Sequence, residues 1–124
     1  MSSRAPSSRA QFRLRIYRGE DIAIGPGKVG LLEAIAETGS ISAAARQLGM
    51  SYRRAWLLVD ELNRALVSPA VQTAAGGAHG GGAALTPVGE DVVRRYRAIE
   101  SAARMAAAAD IAALSRLVGP ATDA

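Results

Sequence analysis

The 124 residues contain no cysteine, one histidine, one phenylalanine, one tryptophan and a single lysine. Without cysteine there is no disulfide, no thiolate metal site and no cysteine nucleophile. His79, alone of its kind, leaves no second imidazole for a metal cluster or a charge-relay pair and reads as solvated or close to a phosphate. No apolar run approaches the ~20 residues that cross a bilayer, and the first residues lack the apolar core of a signal peptide, so a cytoplasmic protein with no membrane partner is expected. Adjacent carboxylates do occur, Asp60 with Glu61 and Glu90 with Asp91. Neighbours on a helix point in different directions, so these read as solvated faces and not as acid–base pairs. No enzyme, and no catalytic, cofactor or metal site, is expected.

What is present is alanine and arginine. Apolar residues make up 49% of the chain, but aromatics only 4%, which implies a thin, largely helical core that oligomerisation would help. The length suits one domain and leaves no room within it for a second, ligand-sensing one. The formal charge is +4, and fourteen of the fifteen basic side chains are arginine, Lys28 being the exception. Arginine makes bidentate contacts with phosphate and with guanine edges. So small an excess of charge says little by itself, and where the arginines fall says more.

Residues 1–11 are Ser, Arg, Ala and Pro with little to bury, and read as a disordered arm. From Phe12 the chain alternates, with Phe12, Leu14 and Ile16 on one face and Arg13, Arg15 and Tyr17 on the other, the period of a half-buried strand. Arg18, Gly19, Glu20 and Asp21 read as a turn, and Ile22 and Ile24 as a second strand, giving a hairpin over residues 12–25. Val29, Leu32, Ile35 and Ala36 then predict a helix over about 26–37, stopped at Thr38 and Gly39. A second helix over about 41–48 follows, capped by Ser40 or Ser42. Leu48 and Met50 are expected to plug the corner after it, with Gly49 making the left-handed turn.

A third helix, about 52–66, carries the main functional signal. Ala55, Val59, Leu62 and Leu66 share one face, Tyr52 and Trp56 flank it, and Arg53, Arg54, Asp60, Glu61 and Arg64 fill the opposite arc. Leu57 falls in that polar arc, where it has no core to enter and can meet a thymine methyl. Trp56 is expected to pack as a core wedge, while Tyr52 is placed to offer its hydroxyl to a phosphate. Ser51 caps the helix, so Tyr52, Arg53 and Arg54 open it, where a recognition helix reaches base edges. A structural helix–turn–helix corner is the plain alternative.

Residues 71–86 predict a hairpin with a glycine-rich tip that includes Gly76, Gly77, Gly80, Gly81 and Gly82. It lacks the Gly-Lys-Ser/Thr ending of a nucleotide-binding loop and lies between strands, so a wing along a DNA backbone is the better reading. From Pro87, Val92, Tyr96, Ile99 and Ala103 recur at three–four spacing, predicting a dimerisation helix over 87–118 with a break near Asp110, then a tail over 119–124. The fold class expected is mostly α with small β-hairpins: a winged helix-turn-helix over 12–86 with a long C-terminal helix.

The run Thr38-Gly39-Ser40-Ile41-Ser42-Ala43-Ala44-Ala45, then Gly49-Met50-Ser51-Tyr52-Arg53-Arg54-Ala55-Trp56, then the glycine-rich hairpin closing on Ala84-Leu85-Thr86 resembles the N-terminal DNA-binding domain of the molybdate-responsive ModE-type regulators. The likeness to LysR-type winged helices is more distant. The resemblance covers about residues 26–96. It implies a dimer on a palindromic operator in duplex DNA, with Ser51, Tyr52, Arg53 and Arg54 opening the recognition helix, Ser40 and Ser42 on the supporting helix, and the wing at residues 76–82. Arg46 and the wing are expected to hold the backbone. The terminal helices, through Val92, Tyr96, Ile99 and Ala103, are expected to pair two subunits. Full-length members carry C-terminal oxyanion-binding domains with a Ser-Ala-Arg-Asn-Gln-type motif, which these 124 residues do not contain. Two readings of the input therefore stay open, control by a partner protein and molybdate or another oxyanion bound at the dimer interface or glycine loop, and a purely structural dimerisation domain stays as the rival to DNA binding.

Overall fold

The computed structural model describes residues 8–74 and 82–121. Its elements run β1 (Ile16–Arg18), β2 (Asp21–Ile24), α1 (Pro26–Thr38), α2 (Ile41–Gln47), α3 (Tyr52–Ala65), β3 (Val71–Ala74), β4 (Gly82–Leu85), α4 (Pro87–Ala106) and α5 (Ala108–Ser115). This is the winged helix-turn-helix order, two antiparallel hairpins around three short helices, followed by a long helix.

The first hairpin is shorter than the alternation predicts. Arg18 pairs with Asp21 across a two-residue loop in which Gly19 has φ +63°, as a tight hairpin turn requires. A register shift separates the pairs Ile16↔Ile24 and Tyr17↔Ile22 and leaves Ala23 buried. Residues 12–15 stay outside the ladder, because β2 ends at Ile24 and Pro26 already opens α1. Phe12 and Leu14 are half-buried between exposed Arg13 and Arg15, while Ile16 is exposed.

Helix α1 has Pro26 at its start, where the missing N–H costs nothing, and ends at Gly39, φ +74°, whose N–H donates to the Ile35 carbonyl at 2.8 Å. It is buried on two faces, Val29, Leu32 and Ile35 on one and Leu31 and Ala34 on the other. Ala36, expected in the core, is exposed. The helix packs on α2, α3 and β4.

Ser40, not Ser42, caps α2: its hydroxyl accepts from the Ala43 N–H at 3.0 Å. Ala44 and Ala45 are buried, so α1, α2 and α3 approach closely. Gly49 (φ +67°) makes the turn. Met50 packs against the core, but Leu48 is 41% exposed; as the C-cap of α2 it stands outside the corner it was expected to plug.

The wing is fixed at its base. Val71 pairs with Leu85 and Ala74 with Gly82. The Asn63 side chain accepts from the Ala70 and Val71 N–H groups (2.8 and 3.2 Å) and donates to the Val71 carbonyl (3.2 Å). Thr86 donates to the Pro69 carbonyl at 2.7 Å while accepting from the Gly89 N–H at 3.1 Å. A Cβ at Gly89 would overlap the Ala70 carbonyl oxygen, so only glycine lets α4 start this close to the wing.

Two compact units divide the chain. One spans Arg13–Arg97 and holds the winged helix-turn-helix. Within it the Tyr96 hydroxyl donates to the Leu14 carbonyl at 2.9 Å, and Arg97 grips Glu33 through two bonds of 2.6 and 2.9 Å. The other unit takes in, among the described residues, 8–12 and 98–121. There the helical run breaks at Ala107, three residues before the expected Asp110, and α5 has no buried residue. Among the described residues no helix is long and apolar enough to cross a membrane.

Candidate nucleic-acid interface

Helix α3 is built to show one set of side chains while burying another. Ser51 accepts the Arg54 N–H at 3.0 Å and so satisfies one of the free donors of the first turn. Ala55, Val59 and Leu62 anchor the helix in the core. Arg53 and Arg54 project into solvent, and neither forms an ion pair among the described residues. Arg64, near the other end, is held by Asp60 at 2.7 Å. Leu57, between them, is 51% exposed, as its place in the polar arc predicts. The helix thus offers two uncommitted guanidiniums and one methyl-bearing side chain at its N-terminal half.

The Tyr52 and Trp56 rings meet edge to face, 6.2 Å between centroids. Tyr52 is 55% exposed and Trp56 38%, so Trp56 is not the core wedge expected of it. Both rings line a small cleft of about 230 Å³ with Ser40 and Ser42 of the supporting helix and Thr73 and Gly82 of the wing. Ser42 is exposed, as is Arg46 one turn further on. Ser40, Ser42, Tyr52 and Gly82, distant in sequence, are therefore brought to one surface. His79 and the wing glycines Gly76, Gly77, Gly80 and Gly81 lie outside the described residues.

The four residues expected to pair subunits divide. Tyr96 is 3% exposed and Val92 packs against the core cluster, so both are occupied within their own chain. Ala103 is half-buried and Ile99 exposed. Exposed apolar side chains instead continue past the predicted set, at Met105, Leu114, Leu117 and Val118.

Helical pattern alone leaves Asn63 unmarked and gives Trp56 the wrong surroundings. Asn63 makes all three of its bonds seven or eight residues downstream, and nothing in helical periodicity marks it. Trp56 could have been placed only by knowing that the wing returns beside it. The paired carboxylates do read as surface groups: Asp60 meets Arg64, Glu61 meets Lys28 at 3.4 Å, and Asp91 meets Arg94 and Arg95. The Arg95 and Arg94 guanidiniums hold the Asp91 carboxyl below its usual range.

Residues 28–90 match the family model of the bacterial regulatory helix-turn-helix proteins, lysR family. The chain belongs to that family. The matched stretch opens in α1 and closes in the first turn of α4, so it contains every element of the surface just described. The chain is also 53% identical over 78 residues to the molybdenum-pterin-binding protein MopB of Rhodobacter capsulatus, covering 63% of this chain and 29% of that protein. It is 42% identical over 92 residues to the molybdenum transport protein ModE of Azotobacter vinelandii (73% and 34%). To the DNA-binding transcriptional dual regulator ModE of Escherichia coli K12 it is 36% identical over 87 residues (70% and 33%). It spans about a third of the length of these curated relatives. Both parts of the resemblance expected from the sequence, ModE-type and LysR-type, are thereby met.

Proposed function

We propose that the chain acts in the cytoplasm as a ModE-type transcription regulator, linked to molybdate metabolism, that binds a palindromic operator in duplex DNA as a homodimer. The observation that carries this reading is the pair Arg53 and Arg54: exposed, without acidic partners among the described residues, and set at the start of α3, the second helix of the helix-turn-helix, which in such motifs lies in the major groove. In that position Arg53 reads a guanine edge, Arg54 reads or anchors beside it, and Leu57 meets a thymine methyl. Ser42, Arg46, Tyr52 and the wing hold phosphates, which set register without reading sequence. Two subunits place two recognition helices about one helical turn apart, or a multiple of it. The exposed Ile99, Met105, Leu114, Leu117 and Val118 supply apolar surface for the pairing.

Selection of bound sites from a random duplex pool, with and without molybdate, tests the proposal. An inverted repeat enriched in both arms is expected, with the input then arriving through a partner protein. Enrichment that changes with the anion would place an oxyanion site on these residues. A pool with no enriched motif would remove the base-reading roles of Arg53 and Arg54.

A further inference from the structure

At 100° per residue, α3 has four sides. Ala55, Val59 and Leu62 turn inward; Arg53, Leu57, Asp60 and Arg64 form the outward ridge. Tyr52 and Trp56 flank the ridge on the side of the wing. The other flank, about 180° from them, is the stripe Arg54, Leu58, Glu61 and Ala65. It lines an open cleft of about 760 Å³ with the first hairpin and the start of α1. The hairpin therefore stands beside the recognition helix as the wing does, on the other side.

The cleft is rich in cations, and not all of them are neutralised. Lys28 is held by Glu61 and donates to the Ile22 carbonyl at 2.6 Å. Arg64 is held by Asp60. Arg18 donates to the Arg64 carbonyl at 3.4 Å and so docks the hairpin tip at the far end of α3. Arg15 and Arg54, which also line the cleft, form no ion pair among the described residues. The stem of Arg15 lies over Gly25, with its Cγ 3.8 Å from where a Cβ would stand there. Helix α1 begins at that point with no side-chain cap and no acidic residue in its first turn, adding the positive end of its dipole. Glu20 and Asp21, beside Arg18 in the turn, oppose an anion at the tip, which leaves Arg15 and Arg54 as the place for one.

We propose that the first hairpin is a second backbone clamp: Arg15, with Arg54, holds DNA phosphates on the side of the recognition helix opposite the wing. A helix seated in the major groove has a phosphate strand on each side, and the wing reaches only one. The inference rests on the duplex-DNA reading above and adds to it a contact that carries no sequence information.

The test is a salt series of binding isotherms for wild type, Arg15→Ala, Arg15→Lys and Glu20→Gln/Asp21→Asn, on the selected operator and on a scrambled duplex. For Arg15→Ala the expected result is equal weakening on both duplexes, with the slope of log K against log salt shallower by ~0.9 for each phosphate that is no longer neutralised. Arg15→Lys should keep the slope, and the neutralised turn should tighten binding to both duplexes. If wild type binds DNA but Arg15→Ala leaves affinity and slope unchanged, the clamp is wrong and the regulator reading survives. Absence of wild-type binding would remove both. Weakening confined to the operator would make Arg15 a base reader and overturn the clamp. So would heat from titrated inorganic phosphate that vanishes in Arg15→Ala while the DNA slope holds, since the cleft would then be a small-anion site. Thermal melts of each variant separate these results from misfolding.

Discussion

Arg53 and Gly89 show how differently single residues act in this chain. The Arg53 guanidinium touches nothing the fold needs, so Arg53→Ala should leave the melting temperature in place. It should cost ~1 to 3 kcal/mol of operator binding if it is bidentate to guanine, read by comparing operator and scrambled duplex. Equal affinities for wild type and variant on the operator would remove Arg53 from base readout. Gly89 is the reverse case. A methyl there meets the Ala70 carbonyl oxygen well inside contact distance, and Gly89→Ala should lower stability by about 1 to 3 kcal/mol through overpacking, measured by urea unfolding. Asn63→Ala strips partners from two N–H groups and a carbonyl at the wing base, at about 1 to 3 kcal/mol. Its wing contacts with DNA should weaken with it.

At the scale of elements, α1 and α4 are joined by the Glu33–Arg97 pair. The hydrogen bond from Arg97 holds the Glu33 carboxyl below its ordinary value of 4.5. A depressed carboxyl stabilises the fold at pH above that ordinary value, and the contribution is lost as pH falls through the depressed one. Both side chains are more than a third exposed, so screening keeps the pair to ~0.5 to 1 kcal/mol. Glu33→Gln should therefore be less stable than wild type at neutral pH, and the gap should close in acid; a gap independent of pH would assign the effect to packing. Elements were also where the sequence was most legible. Caps and glycine turns located α1, α2 and α3 to within a residue or so, because they depend on neighbours along the chain. Alternation predicts a first strand longer than the observed one because it reports burial and not pairing: Phe12 and Leu14 are half-buried, and the β1–β2 ladder begins only at Ile16. Periodicity predicts one apolar face for α1 where the helix has two, since it marks a helix against one surface and α1 lies among three elements. Of the interface, Arg53, Arg54 and Leu57 were legible from α3 alone. Trp56 was not, its exposure being set by the wing.

At the scale of the molecule, the exposed apolar side chains beyond Ala98 bear on assembly. Ile99 and Leu114 are useful probes, Leu114 the sharper because it is 66% exposed. For the proposed homodimer, Leu114→Asp should shift sedimentation to monomer without changing the helical signal, and should weaken binding to a two-half-site operator far more than to a single half-site. A dimer that survives the change would move the pairing surface elsewhere. A last consequence belongs to α3. Its anchoring residues, Ala55, Val59 and Leu62, and its outward ones, Arg53 and Leu57, occupy separate positions on separate faces. On the proposed reading, substitution at those two exposed positions changes what the helix presents to a base edge and leaves its buried anchors in place. A library randomised at those two positions should therefore yield mostly folded proteins of altered target preference, read by thermal melts and by site selection from a random duplex pool.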